Sequence, residues 1–484
     1  MQSIKRGLQR VSETRPRTRK THNKREVIMK ALKVLLVAPS AAGTHGETRL
    51  SRDFIKVWQR AGHTVSHLAL AHEYTEFSQD IAVETYMTLK SHEACCNVPE
   101  PVYEIQDGKQ LGFMILKDGQ FQSVATNQAC TRGQLIPEDY HGRQTIPMVL
   151  MNVKPDIVIS VGDYSAGMVI SSSPFRPTYK HIHYATMEGN SFPILLDGTG
   201  EDNSIRTMLA RCDAVITNTE VASLSLVERY GTSAKAMVIP EGIDTDTFAR
   251  LPNDVRTRLR ETNPTTLLRY ERDGTYRLDT EDLNQTTNIL SIARNTERKN
   301  IPGLLRVATE AHASNPKVRL ILHVPPDSRG WNINHLIAEF RAWDIVYIHY
   351  GWTSVFSVDD RQLNQLYNIA DLYLNMSNAE GWNTAVMQAT SVELPVVTPT
   401  FAVSSEWGKD VLFEIEPLEE KIVPGTHIKF VVPDTEQTIA TVIDLIDGAL
   451  TPSDQLRSVA RTYDWLNIKA SWLSLFSSLT AVKG

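Results

Sequence analysis

ADLYLNMSNAEGWNTAVMQATSVELPVVTPT, residues 370 to 400, is the stretch on which the fold turns. An apolar run reaches Ser377, a short loop carries Glu380 and Gly381, a helical pattern starts at once, and a second apolar run, LPVVTPT, closes the segment. Continuous apolar runs of this length are what parallel strands covered on both faces require. A strand, a loop and a helix start in that order aim free backbone N–H groups and the positive helix end at an anion, and Gly381 lets a ligand approach the backbone. A carboxylate at that point suits sugar hydroxyls better than phosphate. Glu380 therefore reads either as a sugar-binding acid or as an ordinary acid favoured at a helix N-terminus.

Working outward, the same rhythm recurs on both sides. Upstream lie TNILSIARNTERKN, a helix through about Ala313, KVRLILHV, IVYIHYGW and a helix around Asp359 to Ile369. In ARNTERKN, Arg294 and Lys299 stand five apart after a strand and before a helix. Two cations there can neutralise a diphosphate, or they form a solvated basic turn.

The first half opens in the same way, with KVLLVAPS (Lys33 to Ser40) as a buried strand, a loop AAGTHGET holding Gly43 and Gly46, a helix from Arg49 to Ala61, and the strand GHTVSHLAL. Glycines at that turn let a ligand reach backbone N–H groups, or serve tight turning alone. Residues 87 to 150 read as an insertion with hairpin signals, Asp-Gly at 107–108 and at 118–119. The α/β alternation then resumes through KPDIVISVGDYSAG, YKHIHYATMEGN, RCDAVITNTE and AKAMVIPEGID. A charged, strand-poor stretch from Thr245 to Asn288 reads as the connection between halves plus one helix.

The chain has 484 residues, 42% of them apolar and 22% charged, which is too long for one ordinary core and has the balance of a globular protein. The cysteines, Cys95, Cys96, Cys130 and Cys212, show no metal-ligand spacing. The first 33 residues hold eleven Lys or Arg against two Glu, although the whole chain carries a net charge of −6. That arm has no apolar period. It reads as a solvated, disordered tail or as a contact for an anionic partner such as nucleic acid or acidic lipid. No run approaches the roughly 18 apolar residues of a membrane span, and the start lacks a secretory apolar core, so a cytoplasmic location with no integral membrane segment is expected.

Strand, Arg-x4-Lys, helix and then, about eighty residues on, strand, Glu-Gly, helix together resemble the donor-binding half of the family 4 retaining GT-B glycosyltransferases. DAVITNTEVASLSLVERYG with VIPEGIDTDTF is similar to that family's first-domain ending, and YDWLNIKASWLSLF to its C-terminal crossover helix. The resemblance implies that Arg294 and Lys299 bind a diphosphate, Glu380 the sugar hydroxyls, and the Gly381 and Trp382 amides the phosphate or sugar, with Asn383 beside them. The second acid of the family's Glu-x7-Glu falls on Gln388, which can hydrogen-bond ribose hydroxyls with one acceptor oxygen and no charge. In the first half the family's sugar-facing histidine maps near His181, His183 and Glu188. His183 reads equally as a satisfied core histidine, and Glu188, before Gly189 at the strand end, is preferred for acceptor or sugar contact. Asp244-Thr245-Asp246 spells DxD but lies in the first-domain ending, away from the cations, and is discounted as a metal site.

The expected fold class is thus α/β, a GT-B arrangement of two Rossmann-like domains facing across a cleft with a C-terminal crossover helix. The expected organisation is a basic arm over 1–30, an acceptor domain over 31–245, a donor domain over 246–462 and a returning helix over 463–484. The resemblance implies retaining transfer from a nucleotide-diphosphate-sugar donor, without metal or other cofactor, to a glycan or lipid-linked glycan. The alternatives are a hydroxylated base in DNA as acceptor, and an inactive nucleotide-sugar-binding subunit. An epimerase, which shares the architecture, would need an acid and base pair that the sequence does not show.

Overall fold

The computed structural model describes residues 30–39, 46–72, 83–89, 113–117, 120–124, 142–162, 164–187, 189–192, 201–231, 236–262, 267–324, 330–349, 358–423, 428–448 and 453–481. Apolar strand runs separated by amphipathic helices build two mainly parallel sheets.

The first sheet holds β1 (Lys33–Pro39), β2 (Thr64–His72), β3 (Glu84–Leu89), β4 (Phe113–Lys117), β5 (Gln120–Val124), β6 (Ile157–Val161), β7 (Lys180–Ala185), β8 (Ala214–Thr217) and β9 (Ala236–Val238) in the order β5-β4-β3-β2-β1-β6-β7-β8-β9. All neighbours run parallel except β4 and β5, which pair antiparallel with Lys117 opposite Gln120. That is the hairpin expected from Asp-Gly at 118–119. The other Asp-Gly, at 107–108, lies outside the described residues, as does Gly43. The helices are α1 (Gly46–Arg60), α2 (Thr145–Val153), α3 (Tyr164–Ser172), α4 (Glu201–Arg211) and α5 (Glu220–Tyr230). Helix α1 begins at Gly46 and not after Thr48, so Gly46 belongs to its first turn rather than to the preceding loop.

The second sheet takes β10 (Leu267–Tyr270), β11 (Tyr276–Leu278), β12 (Thr287–Ile292), β13 (Val318–His323), β14 (Val346–His349), β15 (Leu372–Leu374), β16 (Val396–Pro399) and β17 (Phe413–Ile415) in the order β11-β10-β14-β13-β12-β15-β16-β17. Strands β18 (Glu419–Ile422) and β19 (Lys429–Val432) form a separate hairpin. The helices are α6 (Asn253–Thr262), α7 (Ile301–Ser314), α8 (Ile333–Glu339), α9 (Asp360–Ile369), α10 (Thr384–Ser391), α11 (Ala402–Gly408), α12 (Thr435–Asp447) and α13 (Asp454–Thr462).

One expectation is corrected here. The stretch from Thr245 to Asn288 is not strand-poor, because β10 and β11 form an antiparallel pair on the edge of the second sheet, with β10 against β14. Only Leu267 of these two strands is buried and β11 is exposed, so neither shows the apolar run that marks an inner strand. The turn between them carries Asp273-Gly274, with Gly274 at φ +84°.

In both sheets the strand order reverses beside the first strand of the series, between β1 and β6 and between β12 and β15. Ligands of open α/β sheets bind outside the carboxyl ends of the strands at such reversals. Buried aliphatic side chains fill both faces; Val34 to Ala38 and Leu320 to Leu322 have no exposed surface.

Residues Leu32–Gly484 form one compact unit, tied by a crossover. Ile243 bridges to Asp464, with Ile243 N–H donating to Tyr463 O at 2.9 Å and Trp465 N–H donating to Ile243 O at 3.1 Å. Helix α14 (Trp465–Thr480) then returns to the first half, as the resemblance implied. Trp472 is fully buried there among Phe54, Trp58, Tyr184 and Phe476, at ring separations of 5.0 to 6.0 Å. Among the described residues no helix is long and apolar enough to cross a membrane.

Candidate functional site

The reversal of the second sheet gathers the residues that the sequence singled out. The chain leaves β12 at Ile292, passes exposed Arg294, makes a one-turn 3-10 helix over Glu297–Lys299 and enters α7 behind Asn300. Asn300 adopts φ +48° and its side chain accepts from Gly303 N–H, a left-handed cap that asparagine tolerates well. The chain leaves β15 at Leu374 and loops through Asn375 to Asn383 before α10.

These two loops lock together. The Glu380 carboxylate is buried, its side chain 7% exposed, and it pairs with Lys299 through Oε1, while Arg298 Nη1 stands 3.7 Å from Oε2. Arg298 also donates to Ala379 O at 2.9 Å, and its own carbonyl accepts from Asn378 N–H at 2.7 Å. Burial pushes the Glu380 carboxyl up, but Lys299 and Arg298 outweigh it and hold the group below the usual range, so it is ionised at neutral pH. On β15, burial raises the Tyr373 hydroxyl, with Glu380 adding to the effect, and that hydroxyl donates to Ile292 O.

Glu380 is not a helix-capping acid. Helix α10 starts at Thr384 and not directly after Gly381, because Asn383 takes φ +61° and caps the helix by accepting from Val386 N–H. A left-handed residue turns the chain before the helix can begin. Gln388 sits inside α10 with its side chain buried, and its Oε1 accepts from the Tyr367 hydroxyl at 2.8 Å. Trp382 is also buried, its ring against Trp407 and Tyr463.

The first half meets this loop directly. Gly189 N–H donates to Glu380 O at 3.1 Å, and Asn190 N–H donates to Lys429 O at 3.2 Å. A side chain on Gly381 would stand 2.4 Å from Met187 O, and one on Gly189, at φ +72°, 2.5 Å from Lys429 O, so glycine is required at both. Asn190 makes two further bonds, donating to Glu420 Oε1 at 2.6 Å and accepting from Ala402 N–H at 3.0 Å. Glu406 of α11 accepts from the Glu220 and Val221 N–H groups at the start of α5, both at 2.9 Å. Glu188, next to Gly189, lies outside the described residues.

His181 and His183 are core histidines rather than cleft ligands. Both are fully buried, and Ser160 Oγ lies 2.9 Å from His181 Nε2 and 2.8 Å from His183 Nδ1. Burial lowers His181 well below the usual imidazole range, with His183 adding to it, which keeps it neutral. Asp244 of the DxD triplet accepts from Asp246 N–H and Thr247 N–H within its own turn. Among the described residues no three His, Cys, Asp or Glu side chains gather as a metal site.

Sequence reasoning missed Arg298 and Asn190. Arg298 sits inside the Arg-x4-Lys spacing, where a pattern of two fixed cations passes over it. Asn190 follows Glu188 and Gly189 in a polar loop that shows no sequence signal for a contact more than 200 residues away.

Two reversed parallel sheets, a crossover over 463–465 and a returning C-terminal helix make the fold GT-B. No family model and no curated relative matches the sequence. Solved structures that share the fold include HepE of Anabaena in complex with UDP, at 14% identity and a TM-score of 0.57, covering 92% of this chain and 100% of that one. Sucrose-phosphate synthase of Thermosynechococcus elongatus matches at 14% identity and a TM-score of 0.59, covering 93% and 99%. The pneumococcal O-GlcNAc transferase GtfA, in complex with UDP and GlcNAc, matches at 13% identity and a TM-score of 0.60, covering 94% and 100%. The likeness at these identities is one of fold.

Proposed function

We propose that the chain is a glycosyltransferase that takes a sugar from a nucleoside-diphosphate-sugar bound at the reversal of its second sheet and transfers it to an acceptor hydroxyl with retention of configuration. The observation that carries the reading is the buried Glu380 carboxylate held ionised by two cations, at the point where open α/β sheets bind ligands.

On this reading Arg294 and Lys299 take the diphosphate, Glu380 accepts from sugar hydroxyls, and the amides of Gly381, Trp382 and Asn383 face the phosphate or sugar. Gln388 serves the ribose; its Oε1 accepts from Tyr367, which leaves the amide N–H groups and the oxygen's second lone pair for ribose hydroxyls. Glu188 is assigned to acceptor or sugar contact, and Gly43 and Gly46 to donor binding. The bond from the anomeric carbon to the leaving phosphate oxygen breaks as the acceptor oxygen bonds to that carbon on the same face. The acceptor proton passes to the departing phosphate. Cations aimed at the charge growing on that phosphate lower the barrier without a protein nucleophile. They also take the charge-stabilising part that a metal plays in other transferases, so no cofactor is called for.

A glycan or lipid-linked glycan is the acceptor this reading favours. The eleven Lys or Arg within the first 33 residues favour a second one, a hydroxylated base in DNA. Salt-dependent DNA binding that disappears on deleting residues 1 to 28 supports that second acceptor, and binding unaffected by the deletion removes it.

The test of transfer is a panel of nucleotide-sugars, scoring release of nucleotide with and without mixed acceptors, beside Glu380→Ala. Release from one donor that the variant abolishes is the expected result. Donor binding with no release across the panel would instead make the chain a nucleotide-sugar-binding subunit.

A further inference from the structure

We infer that Arg298 is a positioning residue, the fixed counter-ion of Glu380 that frees Lys299 to serve the donor diphosphate. This rests on the donor-site reading above.

Lys299 has two claimants. It pairs with Glu380 Oε1, yet the donor reading asks the same ammonium for the diphosphate. If Lys299 were the sole counter-ion, its turn toward phosphate would strand a buried carboxylate. Such a group takes up a proton. A protonated Glu380 offers the sugar one hydroxyl in place of two accepting oxygens.

Arg298 removes the conflict because its place does not depend on Lys299. It stands 3.7 Å from the other carboxylate oxygen, donates to Ala379 O at 2.9 Å, and has its carbonyl held by Asn378 N–H at 2.7 Å. A planar guanidinium fixed to the neighbouring carbonyl keeps its position, whereas an ammonium on a four-carbon stem can swing. Two cations on one carboxylate leave an excess positive charge, which the donor diphosphate completes. The charges that hold Glu380 come from Lys299 and Arg298 in the turn after β12, with Ser377 hydrogen-bonded to the carboxylate and Tyr373 of β15 facing it.

The test uses Arg298→Ala and Arg298→Lys in the full chain, with two readouts. The first is the Glu380 carboxyl titration in ligand-free protein, followed by carbon-13 NMR and assigned with Glu380→Gln. The midpoint should move upward in Arg298→Ala and return toward wild type in Arg298→Lys. The second is the pH profile of kcat/KM with the donor that the panel selects. The acid limb should move to higher pH in Arg298→Ala, with roughly a tenfold loss near neutral pH that recovers in more alkaline buffer. Binding of the nucleoside diphosphate alone should stay within about twofold of wild type.

A carboxyl midpoint unmoved by Arg298→Ala overturns the inference, as does a pH-independent loss of kcat/KM, which marks mere damage to the loop. If the wild type neither binds nor turns over any donor, the donor-site reading fails separately. The ligand-free titration then still decides whether Arg298 holds Glu380.

Discussion

The two halves are built on the same plan and put it to different use. Each reverses its strand order beside the first strand of its parallel series, and each buries two histidines, His181 and His183 on β7 in the first and His323 of β13 with His349 of β14, 2.8 Å apart, in the second. At the second reversal, two loops bring Lys299 and Arg298 against Glu380. From the first half comes a loop, Met187 with Gly189 to Ser191, that meets the second through backbone and amide contacts. The fold supplies the position in both halves; opposite charges from two separate loops single out one of the positions, the one proposed above for the sugar donor.

The sharpest way to break that comparison is to remove the charge from each side in turn. Glu380→Gln keeps the volume of the side chain and should lower transfer by roughly 10²–10³-fold, about 3–4 kcal/mol of barrier, in a donor turnover assay with the fold intact by circular dichroism. Glu188→Gln should cost less. A larger loss from Glu188 than from Glu380 would move the chemistry to the first half.

The join between the halves is tested by Trp472→Ala, which empties a fully buried site between α14 and α1. It should cost about 3–5 kcal/mol in denaturant unfolding. A loss under about 1 kcal/mol would mean that the crossover helix is dispensable to the first half.

Across the cleft, Asn190→Ala deletes one bond to Ala402 and one to Glu420. Donor KM should rise about tenfold with kcat changed less, and small-angle scattering should show a more open ligand-free chain. An unchanged KM would assign the closure to the Glu406 contact with α5 instead.

The smallest effect concerns Asp53 on α1, which accepts from the Trp465 indole at 3.1 Å. Burial raises its carboxyl from 3.8 to about 6, with Asp360 adding to the rise and Arg49 and Arg52 opposing it. Between those values the folded chain keeps a proton that the unfolded chain has released. Stability therefore falls as pH rises through this window and stays lower above it. Asp53→Asn removes that loss, so Tm should rise by about 2 °C at about pH 7.5 and not at about pH 4. A gain of equal size at both values would assign the effect to packing.

The sequence is most legible where a local rule governs the outcome. Buried parallel strands announce themselves as apolar runs, and Asp118-Gly119 marked the β4 and β5 hairpin. The β10 and β11 hairpin carries the same turn signal at Asp273-Gly274 but sits on an exposed edge, where the strands have no apolar run to read. The late start of α10 depends on a positive φ at Asn383, a torsion that the residue permits but does not require. At the site, the residue types were legible and their pairing was not. Lys299 and Glu380 are 81 positions apart, and only the parallel pairing of β12 with β15 brings them together. A similar distance in sequence hid Arg298, which falls inside the Arg-x4-Lys spacing.

The measurement that bears most directly on the central claim is calorimetric titration of wild type and Glu380→Gln with the selected nucleotide-sugar and with its nucleoside diphosphate alone. If Glu380 reads the sugar while the cations hold the diphosphate, the variant should bind the nucleotide-sugar roughly tenfold or more weakly, about 1.4 kcal/mol, and keep its affinity for the nucleoside diphosphate. Equal weakening of both ligands, or of neither, would contradict the division of labour on which the account depends.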